Sequence, residues 1–180
     1  MRGIYFLVFG VLFMSGLRAQ EKFLTKEGYV SFFSHSIVED IKAENNQVLS
    51  VIDTITGKIA IQLLMRSFIF KKALMQEHFN EHYVESYKYP KATFSGKIMN
   101  FDQLDNRNIE TEIVGTLTVH GVEKEISTKV DVAIKEDEIT LTGNFKVDVA
   151  DFNIKIPALV ANNIAKTIKV TFELHHKPYK

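Results

Sequence analysis

Residues 112–147 read EIVGTLTVHGVEKEISTKVDVAIKEDEITLTGNFKV, and their alternation decides the fold. Ile113, Gly115, Leu117 and Val119 alternate with Glu112, Val114, Thr116 and Thr118, and only Val114 breaks the polar row. Ile126, Thr128, Val130, Val132 and Ile134 then alternate with Glu125, Ser127, Lys129, Asp131, Ala133 and Lys135, after which Ile139, Leu141, Gly143, Phe145 and Val147 repeat the pattern. A period of two sends successive side chains to opposite faces, so each run is a strand with one dry and one wet side. His120-Gly121 and Glu136-Asp137 separate the runs, and links this short suit antiparallel hairpins.

Working outward, residues 167–175 form a last strand with Ile168, Val170, Phe172 and Leu174 on the dry face. Toward the N-terminus, Ile59, Ile61 and Leu63 alternate with Lys58, Ala60 and Gln62, and Phe94 and Ile98 flank Thr93, Ser95 and Lys97. Between Leu64 and Phe68 the apolar parity changes, which a bulge or a break between strands explains. Residues 29–33 and 48–52 are apolar enough for strands but do not show which side faces in.

Over residues 71–84, Leu74, Met75, His78, Phe79 and Tyr83 recur at spacings of three and four, the stripe of an amphipathic helix that Tyr89-Pro90 ends. Residues 157–164 suit a second short helix or a long loop equally. About eight strands with charged outer faces need a way to remove sheet edges. Closure into an all-β, antiparallel up-and-down barrel with one short amphipathic helix is the economical solution, and a two-sheet sandwich is the architecture that shows the same alternation.

Arg2, the apolar run 4–14 and the segment Ser15, Gly16, Leu17, Arg18, Ala19 read as a secretory signal over residues 1–19, leaving one domain over 20–180. The apolar run is shorter than the ~20 residues that span a bilayer, so no transmembrane span is expected in the mature chain. Removing the leader takes Arg2 and Arg18 from 22 basic and 22 acidic residues, a balance with no electrostatic footprint for nucleic acid or an anionic membrane surface. With no cysteine, the chain has no disulfide, thiolate or cysteine-zinc chemistry.

His78-Phe79-Asn80-Glu81-His82 matches H-x-x-E-H, the inverted zinc-protease pattern, in which two histidines four apart share a helix face. A protease needs a third ligand and Glu81 beside the metal-bound water, and a five-residue match arises readily by chance. The alternative is packing of His78 beside Leu74 and Phe79, with Glu81 and His82 in water. His120 reads as a turn residue, His175-His176 as solvated, Ser34-His35-Ser36 as lacking a nucleophile elbow, and Asp148 and Asp151 as surface acids. No P-loop or G-x-G-x-x-G is present, so neither catalytic residues, metal ligands nor a cofactor is assigned. The 14 Phe and 6 Tyr are abundant for a chain of this length with no Trp, and those on the strands indicate core or lipid contact rather than single-stranded nucleic acid.

Three segments together resemble the YceI-like family of polyisoprenoid-binding proteins: 68–101 (FIFKKALMQEHFNEHYVESYKYPKATFSGKIMNF), 114–126 (VGTLTVHGVEKEI) and 143–157 (GNFKVDVADFNIKIP). The resemblance implies a lipocalin-like barrel with a helix beside one opening, a long-chain isoprenoid or similar lipid as partner and no catalysis, while the leader over residues 1–19 points to a periplasmic or secreted location. Near its start the chain lacks the tryptophan-containing strand of many members. On this reading the ligand wall is Phe68, Phe70, Phe94, Ile98, Ile113, Leu117, Val119, Phe145, Val147 and Phe172. The rivals are a metal-dependent hydrolase using His78, Glu81 and His82, and a packed structural barrel acting through its surface. A homodimer is left open.

Overall fold

A computed structural model describes residues 22–104, 108–135, 137–157 and 164–179. In chain order it forms β1 (Lys22–Ser34), β2 (Ile41–Asp53), β3 (Lys58–Leu64), β4 (Ile69–Phe70), α1 (Ala73–His78), β5 (Lys91–Ile98), β6 (Asn108–Val119), β7 (Val122–Lys135), β8 (Glu138–Asp148) and β9 (Thr167–Tyr179). The hydrogen-bonded order is β1-β9-β8-β7-β6-β5-β3-β2, and β2 pairs back with β1, so eight antiparallel strands close into a barrel without free edges. The two-residue β4 pairs with the β2 segment Ala43-Glu44. The barrel expected from the alternation is therefore the fold, and the sandwich is excluded.

The alternation sets the inward rows as read. Ile113, Val130, Val132, Ile139, Leu141, Phe172 and Leu174 are buried, while Val114, the apolar residue on the wet side of β6, is exposed. At the β6–β7 turn Val119 pairs with Val122, and both His120 and Gly121 have positive φ, at 51° and 73°. Two such residues give the tight hairpin whose twist matches the flanking strands.

The parity change after Leu64 is a break: a 3-10 turn over Met65–Ser67 separates β3 from β4. The expected helix is shorter and mixed, with α1 covering Ala73–His78 before a π turn over Phe79–Tyr83. Leu74, placed in the apolar stripe by its spacing, is 62% exposed. With only six residues, α1 presents one narrow face, and Met75, half-buried, takes the inward place. The possible helix over 157–164 lies largely outside the described residues. No helix among the described residues is long and apolar enough to cross a membrane.

Strands β1 and β2 were unreadable because both change parity midway. On β1 the inward residues run Phe23 and Thr25, then Gly28, Val30, Phe32 and Ser34, with register shifts between Thr25 and Val30. Opposite, β2 turns in Ala43 and Asn45 and then Val48, Ser50 and Ile52. Asn45, fully buried, stabilises the irregularity by donating from Nδ2 to Leu64 O at 3.1 Å and accepting from Gln47 N at 2.8 Å. Paired bulges of this kind bend a strand and re-aim its side chains.

Candidate functional site

The barrel interior divides along its axis. At the end where β8 begins, Ile52, Ile98, Val130, Val132 and Leu141 are 2% exposed or less and fill the space, with the equally buried Leu174 between them and the cavity it borders. His176 also lies there, fully buried, although the expectation was a solvated residue. Strand β9 runs on to Tyr179, so the inward row Phe172, Leu174 continues to His176. Its ring lies 3.0 Å from Ile139 O through Nδ1 and 2.8 Å from Ser50 Oγ through Nε2. Burial lowers its pKa to about 4, so the neutral ring donates to the carbonyl and accepts from the serine. Its neighbour His175 faces outward between Glu173 and Glu138, and the bond to Glu173 raises its pKa.

At the end where β8 finishes, the interior is hollow. A cavity of ≈ 360 Å³ opens there, within the range of small-molecule sites. Of the wall expected from the sequence, Phe68, Phe70, Phe94, Ile113, Leu117, Val119, Phe145, Val147 and Phe172 border it. Ile98 does not. It faces inward but at the packed end, where its amide bonds to Gly57 O at 2.9 Å, because parity fixes direction and not height along the axis.

Glycines shape the cavity floor. Gly96 and Gly115 are direct partners across β5 and β6, and a Cβ on either meets Phe94 Cζ, at 2.6 and 2.9 Å. A Cβ on Gly143 meets Phe172 Cζ at 2.6 Å. The two phenyl rings thus occupy space that a side chain at these glycines would take.

The mouth is built from residues without a period of two. Phe79, from the π turn, packs on Phe70, Phe32 and Phe68 at centroid distances of 5.0, 5.4 and 5.8 Å. Phe32 comes from β1 beyond its bulge. Val149 and Phe152 enter from a 3-10 turn, and Ile154, Ile156 and Ile164 from the β8–β9 connection. The period of two missed these, although the helical spacing put Phe79 on the apolar stripe. A signal was present in the apolar spacing of Phe152, Ile154 and Ile156 directly after β8.

No Lys, Arg, Asp or Glu lines the cavity among the described residues. Its polar side chains are Ser34, Thr93, Thr128, His78 and Tyr83. Burial raises the Tyr83 hydroxyl pKa and keeps it neutral. Ser34 Oγ accepts from Ala165 N at 2.9 Å, tying the β1 end to the start of the β9 approach.

His120 sits in its turn as expected, but not on the surface. Its side chain is 10% exposed, with Nδ1 at 3.0 Å from Phe152 O, Nε2 at 2.9 Å from Glu85 Oε2, and the ring edge-on to Tyr89 at 4.4 Å. One side chain thereby joins the β6–β7 turn, the segment after the π turn and the β8–β9 connection.

The His78 and His82 rings lie 5.5 Å apart, tilted by 53° to one another, and both residues are exposed, His78 at the cavity edge. No third His, Cys, Asp or Glu joins them among the described residues. Ser34 and His35 do not meet as a pair: His35 Nδ1 lies 2.7 Å from Asp40 Oδ1. Asp148 bonds to Thr167, and Asp151 pairs with Lys124 at 3.6 Å, so these acids form no dyad.

The family model described as a YceI-like domain matches residues 22–176. Among curated proteins none matches the sequence. A polyisoprenoid-binding domain from Saccharophagus degradans, implicated in plant cell wall breakdown, superposes with a TM-score of 0.76 at 16% identity, covering 88% of this chain and 98% of that one. Burkholderia cenocepacia BcnA superposes at 0.70 with 18% identity, covering 82% and 95%. The Campylobacter jejuni YceI protein does so at 0.63 with 19% identity, covering 81% and 89%. At these identities the likeness is one of fold.

Proposed function

The chain belongs to the YceI-like family, and from that membership we propose that it binds a long-chain isoprenoid or another amphiphilic lipid in the hollow end of its barrel. The observation that carries this reading is the cavity wall, which holds aliphatic and phenyl side chains and no fixed charge among the described residues. An apolar tunnel binds by removing methylenes from water, at ~0.8 kcal/mol each. Ten buried methylenes offer about 8 kcal/mol before ordering costs are subtracted, so affinity needs no positioned polar group. The activity is binding, for carriage, storage or sensing, and not catalysis.

Export belongs to the same proposal. Arg2, the apolar run 4–14 and the small residues before Gln20 support a leader over 1–19 and a periplasmic or secreted protein. Intact mass of the exported protein tests this, with a start at or near Gln20 expected and a retained 1–19 segment contradicting it.

The binding reading is tested by mass spectrometry of an organic extract of protein purified without a histidine tag. A long-chain species approaching one per barrel is expected. No lipid, together with no uptake of the apolar fluorophore N-phenyl-1-naphthylamine, identifies a packed structural barrel instead.

A further inference from the structure

The hollow end carries an apolar collar on its outside. Ile37 is 100% exposed, Val38 65%, Ile69 65% and Leu74 62%. Each is a close chain neighbour of the cavity wall: Ile37 and Val38 lie between Ser34 and Ile41, Ile69 between Phe68 and Phe70, and Leu74 beside Met75, all of which line it. The β1–β2 loop and α1 are tied to each other by Lys72 and Glu39 at 2.5 Å, which holds the two parts of the collar at one rim.

Several acids of this rim have a partner within it. Besides Glu39 with Lys72, Asp40 pairs with His35 at 2.7 Å and Glu44 with Lys42 at 2.5 Å. Both acids of the β1–β2 loop, Glu39 and Asp40, thus keep a hydrogen-bonding partner on the protein. Exposed apolar side chains around a binding mouth mark a contact surface, and apolar side chains set among polar and charged ones suit the boundary of a headgroup layer.

We propose that this collar docks on a lipid bilayer, so that the ligand passes between membrane and cavity without crossing water. The inference rests on the lipid-binding reading. A long-chain ligand has its reservoir in a bilayer, and the collar places the mouth there.

The test is flotation of the exported protein with vesicles of 3:1 phosphatidylethanolamine and phosphatidylglycerol, in parent and in the variant Ile37→Asp with Leu74→Asp. Both share one starting residue, so any contribution of the segment before Lys22 cancels. Both substituted sites are exposed, and uptake of N-phenyl-1-naphthylamine from water reports that the barrel and cavity persist. Expected is co-flotation of the parent, little changed by salt, and a loss of about tenfold or more in the variant while fluorophore uptake stays the same. Equal flotation of parent and variant overturns the proposal, as does a parent that takes up fluorophore but does not float. A parent that is dimeric and does not float, with a variant that is monomeric, assigns the collar to a contact between copies and overturns it too. Failure of the binding reading itself looks different: no fluorophore enters the parent, whether or not it floats.

Discussion

Leu141 and Leu174 face each other across β8 and β9 with no exposed surface, whereas four to six residues further along the same pair of strands Phe145, Val147, Ile168 and Val170 stay half-buried around an empty volume. The two regions share one alternation, one sheet and one register. They differ in what fills the axis. At the packed end branched aliphatic chains meet in the middle, and at the hollow end glycines let Phe94 and Phe172 lie against the wall. An eight-stranded barrel is narrow enough to be filled by side chains and wide enough to hold one ligand, so a few residues decide between the two.

The contrast is broken most forcefully from the packed end. Leu141→Ala leaves a void among chains that cannot collapse, and costs ~2–5 kcal/mol. Leu117→Ala enlarges a space that already exists, and costs about 1 kcal/mol or less. Urea unfolding of delipidated proteins gives both values, with a similar midpoint shift for the two contradicting the division.

Acid tests the same end. His176 has its pKa lowered from 6.5 to about 4 by burial, so the folded state holds the ring neutral while the unfolded chain takes up a proton. The stabilisation is complete above pH 6.5 and is lost as pH falls from there to about 4, by about 3 kcal/mol in total. Unfolding free energies of parent and His176→Gln at pH 7 and pH 4 will show the extra loss in the parent only. Parallel curves contradict it.

The floor between the two regions is adjusted by Gly143→Ala. The new Cβ meets the Phe172 ring, 2.6 Å from Cζ, and pushes it toward the hollow end. The expected cost is about 1 kcal/mol with a fall in lipid recovered, and an unchanged lipid content shows that the ring does not bound the site. The smallest effect is expected outside the barrel. His78→Ala with His82→Ala changes stability by about 0.5 kcal/mol or less and leaves the lipid content as it was, whereas stoichiometric zinc lost along with an activity supports the hydrolase.

How much of this was legible follows the same division of regularity. Strands β6 to β9 obey a strict period of two, and their inward rows are those read from Ile113, Val130, Leu141 and Phe172. The first two strands hide theirs behind facing bulges and buried polar residues such as Asn45, Ser50 and Ser34. Nine of the ten residues expected in the wall border the cavity, because apolar parity reports direction. Ile98 misled because parity does not report depth, and His176 because the strand was ended one residue too soon. Phe32 and Phe152 escaped because a bulge and a 3-10 turn deliver them to the mouth, and Phe79, read as part of the helical stripe, reaches it through a π turn.

The account's central claim, that the hollow end holds a long-chain ligand, is tested most directly by lipid stoichiometry in parent and Leu117→Trp, read beside thermal unfolding of both after delipidation. Leu117 borders the cavity, so an indole placed there replaces part of the ligand. The predicted result is lipid in the parent, none in the variant, and delipidated Tm values that nearly coincide. A parent without lipid, and a variant destabilised by ~1–3 kcal/mol from an indole that has nowhere to go, contradict it.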